Sequence, residues 1–410
     1  MKVLHVIGSV GPLRGGPSMV IRTLARGLNE NGIETHVCTT DDNGPGRLQV
    51  TLGQPQTEDG ATYWFFPRQS RFYLVSFPLA LWLWRHVGEY DLVHIHSVFS
   101  FAPTMAALAA KTHRVPYVIR PLGVLNEWGI QNRRRLLKQV SLRFVERPIF
   151  RRAALVHFTS EEERLEALQV GIFGRSVVIG NPIDILGRKK DQQEGEFRTR
   201  YPELRDKKII LFLSRIDRKK GLDLLFEAFS KLRSIWKDAR LVIAGDGNRE
   251  YIAELTRLAE KLDIASAILW TGFLQGKAKS SALMDANVFV LPSYSENFGN
   301  AVVEALGMGV PVIISDRVGI HREITSAEAG LVVPCNSDAI CSAIDKVISS
   351  SDVSQRLAQN GIAIANGSFS TGSVLQKLMN SYLEVIGSAS ATGNTTLPKS
   401  IRDTTPLGLN

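Results

Sequence analysis

Two acidic residues, Glu296 and Glu304, stand eight positions apart in the segment SYSENFGNAVVEALG. The apolar run at residues 288–291 predicts a strand before them, and the residues from Gly299 onward predict a helix. Eight helical steps of about 100° return to nearly the same face, so both carboxylates are expected along one side. The unpaired amides of a first helical turn bind phosphate oxygens. The segment therefore predicts an anion site flanked by two carboxylates.

A second charged segment, LSRIDRKKG, places Arg215 and Lys220 directly after the apolar run at residues 209–213. Two cations on a short loop before a helix form a natural clamp for a diphosphate. A solvated charged loop is the alternative, and charge alone leaves both interpretations open.

Near the N-terminus, the apolar run at residues 2–7 leads into the glycine-rich stretch GSVGPLRGGPS, which contains Gly15 and Gly16. Glycines allow close approach of a ligand to the backbone, although the spacing is not that of the dinucleotide fingerprint. A flexible loop without a ligand is equally compatible. His96 ends the run at residues 92–96, with His94 on the same strand face. A histidine in this place is either a site residue or a hydrogen-bonded structural residue.

Short apolar runs alternate with amphipathic stretches of helical length in two successive series, which predicts parallel sheets covered by helices. The expected fold class is α/β, with two Rossmann-like doubly wound domains facing each other across a cleft. Ligands bind such sheets at the carboxyl ends of the strands, where the strand order reverses. The predicted segments are an N-terminal domain at 1–186, a linker at 187–208, a C-terminal domain at 209–372, a helix packing back toward the N-terminal domain at 373–386, and a disordered tail at 387–410.

Composition narrows the class of protein. The 410 residues carry a formal charge of +9, which favours anionic partners. The three cysteines lack paired spacing, so neither a zinc site nor a disulfide framework is expected. The longest apolar run is too short to span a bilayer. A nucleic-acid binder is disfavoured because the basic stretch lacks interleaved stacking aromatics.

Together these segments resemble the retaining glycosyltransferases of the GT-B fold, in particular glycosyltransferase family 4 (group 1). The resemblance extends from residue 1 to about residue 386. It rests on Gly15 and Gly16, His96, the stretch around Arg215 and Lys220, the sequence AGDG at 244–247, and the glutamate pair.

The resemblance implies a role for each matching residue. Arg215 and Lys220 would neutralise the leaving diphosphate, and Glu304 would bind the ribose hydroxyls. His96 would lie against the transferred sugar, and Glu296 would hold that sugar. The remaining donor-binding residues implied are Gly15, Gly16, Gly245, Gly272, Phe273, Leu274, Phe298, Gly299 and Asn300, with residues 272–274 meeting the nucleobase through main-chain atoms.

The resemblance further implies a metal-independent hexosyltransferase that uses a nucleotide-diphosphate sugar as co-substrate and no cofactor. Its acceptor would be a glycan or lipid-linked acceptor in polysaccharide biosynthesis. The unpaired cysteines separately favour a reducing compartment, so the expected location is the cytoplasm, with the inner face of the membrane as a surface to which the protein could dock. No protein nucleophile is assigned, and the pair Asp41 and Asp42 is expected to be solvated rather than to bind metal. A sugar-nucleotide epimerase and a non-catalytic sugar-nucleotide-binding protein are the alternatives.

Contact with an anionic membrane is a separate expectation. Eight basic residues and one acidic residue occupy positions 133–152, and such a stretch attracts anionic headgroups. Nine aromatic residues nearby could supply interfacial anchors, or could instead fill a core: Tyr63, Trp64, Phe65, Phe66, Phe72, Tyr73, Phe77, Trp82 and Trp84.

Overall fold

The computed structural model describes residues 1–125, 135–183 and 195–391. The chain divides into two compact units. Unit 1 combines residues 1–182 with residues 371–410, and unit 2 comprises residues 183–370. Unit 1 is therefore built from both ends of the chain.

Unit 1 contains an eight-stranded sheet with the order β10-β9-β8-β7-β1-β2-β6-β5. Its pairs are parallel except for β5 with β6, and β3 and β4 form a separate antiparallel pair. The strands are β1 (Lys2–Ser9), β2 (Glu34–Thr40), β3 (Asp42–Asn43), β4 (Gly46–Arg47), β5 (Pro55–Glu58), β6 (Ala61–Phe66), β7 (Leu92–His96), β8 (Tyr117–Arg120), β9 (Leu155–Phe158) and β10 (Ser176–Val178).

Helices cover both faces of this sheet. They are α1 (Gly16–Glu30), α2 (Phe77–His86), α3 (Phe101–His113), α4 (Arg135–Ser141), α5 (Arg147–Arg152), α6 (Glu161–Gln169) and, beyond the helices of unit 2, α15 (Thr371–Ala391). A π-helical stretch, Leu142–Glu146, connects α4 and α5. Helix α15 packs Leu375, Leu378 and Tyr382 into a core shared with α1. Gly27 permits this, because a Cβ there would stand 2.4 Å from Leu375 Cδ1.

Unit 2 contains a six-stranded parallel sheet with the order β13-β12-β11-β14-β15-β16. Runs such as ILFL and LVIA are apolar on both faces because helices cover both sides of the sheet. The strands are β11 (Lys208–Leu213), β12 (Ala239–Ala244), β13 (Ile268–Gly272), β14 (Val288–Leu291), β15 (Val312–Ser315) and β16 (Gly330–Val333). The helices are α7 (Glu196–Arg200), α8 (Leu222–Arg233), α9 (Arg249–Lys261), α10 (Gly276–Met284), α11 (Asn300–Gly307), α12 (His321–Ser326), α13 (Ser337–Ser349) and α14 (Ser351–Asn366).

The boundaries differ from the predicted ones in two places. The predicted linker at 187–208 lies outside the described residues as far as residue 194, and its remainder is folded into unit 2. Phe197 and Leu204 are buried in the core of that unit, which explains why this polar stretch is ordered. The last helix continues to Ala391, beyond the predicted end at residue 386, and residues 392–410 lie outside the described part of the chain.

Of the nine aromatic residues considered as interfacial anchors, some are buried in the core and others are exposed. Tyr63, Phe65, Phe66 and Trp82 are buried in the core of unit 1, so the anchor interpretation is wrong for them. Tyr63 and Phe65 alternate along β6 and share one core cluster, whereas Phe66 of β6 and Trp82 of α2 belong to another. Neither β6 nor α2 was predicted from the sequence. Three others are exposed: Phe72, Phe77 and Trp84. No helix in the described residues is long and apolar enough to cross a membrane.

Candidate donor site and buried histidine cluster

In unit 2, the charged segments meet where the strand order reverses. The chain runs from β11 outward to β12 and β13 and then returns to β14, which lies on the other side of β11. The loop after β11 carries Arg215 and Lys220, and the loop after β14 carries Glu296. Adjacent parallel strands end at the same edge, so this arrangement brings the two loops together.

Lys220 and Glu296 form an ion pair at this edge. Lys220 is buried, and a buried ammonium is costly unless an opposite charge lies beside it. Burial acts to raise the pKa of Glu296, but the charge of Lys220 and its hydrogen bond prevail and lower the pKa below its usual value. Lys219 and Arg215 contribute in the same direction. Glu296 is therefore an ionised carboxylate surrounded by cations.

The loop that carries Arg215 is fixed by close backbone packing. A Cβ on Gly245 would stand 1.9 Å from the Ser214 carbonyl oxygen, and one on Gly221 would stand 2.0 Å from the Pro292 carbonyl oxygen. The Ile216 amide donates to the Asp246 carbonyl at 2.9 Å. Arg215 itself is exposed. A rigid loop thus presents one exposed and one buried cation on the same edge.

The Glu296 loop is fixed in a similar way. The Glu296 amide donates to the Arg317 carbonyl at 3.0 Å, and the Glu296 carbonyl accepts from the Gly319 amide at 2.8 Å. Gly299 precedes α11 with a φ of 88°, a left-handed conformation that favours glycine. Phe298 is buried with its ring edge-on to Phe369, so only its backbone is available to a ligand.

The other predicted donor residues occupy neighbouring strand ends. Glu304 lies in the second turn of α11 and is ion-paired with Lys279 at 2.8 Å, a partner that the sequence analysis did not identify. Gly272 ends β13 with a φ of 70°, and its carbonyl accepts from the Gly245 amide at 2.8 Å. Phe273 is 69% exposed, whereas Leu274 is buried. The Phe273 ring is therefore a platform on which a planar group could stack.

Helix α11 begins at Asn300, another of the predicted donor residues. In unit 1, Gly15 precedes α1 with a φ of 80°, and the space around a Cβ there is open. Gly16 is the first residue of α1. The strand order reverses between β1 and β7, so the glycine-rich loop and the end of β7 lie at one edge of this sheet.

The expectation that Asp41 and Asp42 are solvated is wrong. Both are buried, and the Asp42 carboxylate accepts from Arg14 Nε at 2.6 Å and from Arg68. Burial would raise the pKa of Asp42, but the hydrogen bonds from Arg14 and Arg68 lower it. Asp41 accepts from the Arg68 amide at 2.6 Å. Asp42 therefore holds the glycine-rich loop through Arg14, which belongs to that loop, and both carboxylates bind Arg68.

His96 is buried rather than exposed at the end of β7, and it belongs to a cluster with His5, His94 and His157. Burial lowers the pKa of all four imidazoles well below its usual value, and the charge of the buried Arg120 acts in the same direction. These rings are therefore neutral. Only His94 and His96 were singled out from the sequence, because His5 and His157 come from other strands without a local motif.

The cluster includes the one group in the described residues with metal-ligand geometry. One nitrogen each of His5, His94 and His96 lies within 4.8 Å of the others. However, the rings of His5 and His96 are stacked, with an interplanar angle of 16°, and His5 Nδ1 already lies 2.9 Å from His96 Nε2. His94 Nδ1 is engaged elsewhere, 2.6 Å from the Tyr382 hydroxyl. The geometry favours hydrogen bonding between imidazoles over ligation of a common ion.

Two α/β units, each built on a largely parallel sheet with predicted site residues at its switch point, define a protein of the GT-B class. The prediction of that class from the sequence is confirmed by solved structures. The structure of HepE from Anabaena with UDP and glucose superposes with a TM-score of 0.76 at 20% identity, covering 94% of this chain and all of that one. The structure of WaaG, a glycosyltransferase involved in lipopolysaccharide biosynthesis, superposes with a TM-score of 0.68 at 18% identity, covering 93% and 99%.

Sequence comparison identifies the family. Residues 193–363 match the glycosyl transferases group 1 family, and residues 15–182 match the glycosyl transferase 4-like domain. The chain belongs to the group 1, family 4 glycosyltransferases, as the resemblance implied.

Individual relatives match over part of their length. Phosphatidyl-myo-inositol mannosyltransferase of Mycolicibacterium smegmatis is 27% identical over 264 residues, which is 64% of this chain and 63% of that protein. Alpha-D-kanosaminyltransferase of Streptomyces kanamyceticus is 26% identical over 196 residues, 48% and 50% of the two chains. The chain thus spans about half to two thirds of the length of these curated relatives.

Proposed function

We propose that this protein transfers a hexosyl unit from a nucleotide-diphosphate sugar to a glycan or lipid-linked acceptor, with retention of anomeric configuration and without a metal ion. The observation that carries the proposal is the Lys220–Glu296 pair beside Arg215 at the switch point of unit 2. Retention, the substrates and the role in polysaccharide biosynthesis rest on family membership.

The proposed mechanism is electrostatic. As the bond between sugar and diphosphate breaks, negative charge grows on the diphosphate, and preorganised cations lower the energy of that state most. Arg215 and Lys220 supply these cations, and the first amides of α11 bind the adjacent phosphate oxygens. Lys220 has three N–H donors, so the contact with Glu296 fixes its position without exhausting its capacity to donate. No divalent ion is required in this scheme.

The remaining donor contacts of the proposal are those that the family resemblance implies. Glu304, held by Lys279, binds the ribose hydroxyls, and the segment Gly272 to Leu274 meets the base. His96 lies against the transferred sugar, while Gly15 and Gly16 border the diphosphate. UDP and glucose are named for HepE, and mannosyl transfer for a relative, which makes UDP-glucose and GDP-mannose the first donors to test.

The experiment has two stages. Thermal shifts with UDP-glucose, GDP-mannose and ADP-glucose identify the donor, because a ligand that binds only the folded state stabilises it. Donor turnover is then measured for Arg215→Ala and Lys220→Ala, which should lower kcat about 10²-fold with a smaller change in KM. Arg218→Ala is the matched control, because Arg218 lies in the same loop but is exposed and paired with Glu254.

Wild-type kcat in both variants would contradict the proposal. The product distinguishes the alternatives: transfer or hydrolysis releases the nucleoside diphosphate, whereas an epimerase yields a new nucleotide sugar and a binding protein yields neither. Equal turnover in EDTA and in added Mg²⁺ is expected, and activity that requires Mg²⁺ would refute metal independence.

Peripheral contact with an anionic membrane at the cytoplasmic face is the second part of the proposal. An apolar stripe of three residues, Leu136, Val140 and Phe144, recurs at helical spacing and is exposed by 77%, 56% and 68%. Arg143 lies exposed beside it, and Arg133 and Arg134 of the basic stretch lie outside the described residues. Exposed apolar groups beside cations are typical of helices that rest on anionic bilayers.

Co-sedimentation with phosphatidylglycerol and phosphatidylcholine vesicles tests this contact. Phe144→Ser should weaken binding to the anionic vesicles, and high salt should weaken it further because it screens exposed charges. Ile235→Ser, an equally apolar change at an exposed residue of unit 2, is the control. Equal partitioning onto both lipids, or onto neither, would contradict membrane contact and favour a soluble acceptor.

A further inference from the structure

The buried histidines of unit 1 are joined by hydrogen bonds into one chain that includes Tyr382. The contacts begin at the Ile179 carbonyl, which lies 2.8 Å from His157 Nε2. His157 Nδ1 lies 3.4 Å from His94 Nε2, and His94 Nδ1 lies 2.6 Å from the Tyr382 hydroxyl. Tyr382 comes from α15, the helix that returns to this sheet from the end of the chain.

The chain continues from the hydroxyl to β1 and β7. His5 Nε2 lies 3.5 Å from Tyr382 Oη, and His5 Nδ1 lies 2.9 Å from His96 Nε2. His96 Nδ1 has no hydrogen-bonding partner among the residues that the structure describes. The side chains are all within 1% of complete burial, so water does not compete for these contacts.

The carbonyl at the end of the chain determines the position of each proton. A carbonyl oxygen can only accept, so His157 must carry its proton on Nε2, which leaves Nδ1 as an acceptor. His94 must therefore donate from Nε2 and accept at Nδ1 from the Tyr382 hydroxyl. For neutral rings, one arrangement satisfies every contact.

The Tyr382 hydroxyl fixes the protons on His5 and His96 as well. The Tyr382 proton is directed at His94, so its oxygen accepts from His5 Nε2. His5 Nδ1 then accepts from His96 Nε2, which leaves Nδ1 of His96 as a bare acceptor. Through this chain of hydrogen bonds, the Ile179 carbonyl on the far side of the cluster determines the tautomer of His96.

We propose that His5, Tyr382, His94 and His157 are positioning residues that hold His96 as a neutral imidazole with its proton on Nε2 and an accepting lone pair on Nδ1. This inference rests on the proposed function in one respect, the location of His96 against the transferred sugar. In this tautomer, His96 presents an accepting lone pair at Nδ1 and cannot donate from that atom.

The charged groups around the cluster support a neutral state. Arg120 lies on β8 opposite His96, and its guanidinium donates to Asn181. Its positive charge opposes a second cation on any of the four rings. Glu163, on α6, is the acidic group that interacts with Arg120, and Glu163 accepts from the Thr159 amide at 2.6 Å.

Nuclear magnetic resonance of protein labelled with ¹⁵N-histidine tests the tautomers without reference to activity. Each of the four buried rings is expected as the Nε2–H tautomer, with no titration between about pH 6 and about pH 8, where ordinary histidines change charge. An Nδ1–H tautomer of His96, or a titration midpoint near 6.5 for any of the four, overturns the inference. A shift of the cluster's resonances on addition of Zn²⁺ to the untagged protein also overturns it, in favour of a metal site.

Variants separate positioning from simple packing. Tyr382→Phe retains the ring and removes the hydroxyl, so the His96 resonances should change although Tyr382 does not touch that ring, and kcat should fall about tenfold with donor KM within about twofold. Tyr90→Phe is the matched control, because it removes a hydroxyl bonded to His36 Nδ1 at 2.8 Å elsewhere in unit 1. Unchanged His96 resonances in folded Tyr382→Phe protein refute the chain. If no tested donor turns over, the proposed function fails. The resonance measurements on the four histidines would still confirm or refute the tautomer of His96, because they do not depend on activity.

Discussion

Unit 1 should lose stability as the solution is acidified below about pH 6.5, because its four buried histidines are neutral in the folded state and protonated in the unfolded state. Burial, joined by the charge of Arg120, lowers the pKa of His5 to about 3, and the pKa values of His94, His96 and His157 are also well below 6.5. The unfolded chain then binds more protons than the folded one. The stabilisation is therefore complete above the unfolded pKa and is lost as the pH falls toward the folded pKa.

The magnitude follows from linkage. A ring that stays neutral when folded and has an unfolded pKa of about 6.5 removes about 1.4 kcal/mol between about pH 7.5 and about pH 5.5, so four rings remove about 5 kcal/mol. Three glutamates, of which Glu146 and Glu163 are buried and Glu166 is partly buried, act in the opposite sense. Burial, with a smaller contribution from the negative charge of Glu162, raises the pKa of Glu166 to about 7. Burial also raises the pKa values of Glu146 and Glu163. Glu166 alone offsets at most about 2 kcal/mol.

The assay must observe each unit separately. Urea-dependent pulse labelling with deuterium, read by mass spectrometry, follows peptides of β1 and β7 for unit 1 and peptides of β11 and β14 for unit 2. With about 2.5 kcal/mol per molar urea, the midpoint of unit 1 should fall by about 1 M in wild type. In Glu166→Gln, which removes the largest opposing titration, it should fall by about 2 M.

Unit 2 is the internal control, because one of the eight histidines, His321, lies in it. A midpoint of unit 1 that moves no more than that of unit 2, in Glu166→Gln as in wild type, would refute the conclusion that the four rings are buried and neutral. Such a result would also remove the basis for a fixed tautomer of His96.

Three further outcomes are expected. Glu296→Gln should destabilise unit 2 by about 3 kcal/mol in thermal unfolding, because it leaves the buried Lys220 without a counter-charge, whereas Lys231→Ala, which breaks an exposed pair, should not change stability measurably. Gly245→Ala should lower the melting temperature of unit 2, since its Cβ would overlap the Ser214 carbonyl; Gly372→Ala, in open space in α15, should be neutral or slightly stabilising. Phe273→Ala should raise donor KM about fivefold at unchanged kcat if the base stacks on this exposed ring.

The sequence was sufficient to predict the strands that carry the charged loops. Runs such as residues 209–213 and 288–291 are apolar on both faces because their sheet is covered on both sides, and this makes them recognisable without tertiary information. The strand at residues 61–66 was missed because its composition alone is ambiguous. Its aromatic side chains fit both a membrane surface and a core, and only the pairing of β6 with β2 distinguishes them.

The partners of the charged residues could not be predicted. Lys220 and Glu296 are 76 residues apart, and Glu304 binds a lysine from a different helix. Asp42 looked like a solvated loop residue because its arginines, Arg14 and Arg68, lie on either side of it at a distance in sequence. A local motif gives the position of a charge at a strand end, whereas the counter-charge depends on which strand is its neighbour.

Tyr382 shows how far this dependence extends. His5 lies on β1 and His94 on β7, yet the hydroxyl that joins them belongs to α15, 288 residues beyond His94. A buried imidazole without a partner costs as much as a lost hydrogen bond or more. The polar groups inside unit 1 are therefore satisfied only when α15 has docked on the sheet. Because α15 follows unit 2 in the chain, unit 1 can complete this network only after the whole of unit 2 has been synthesised.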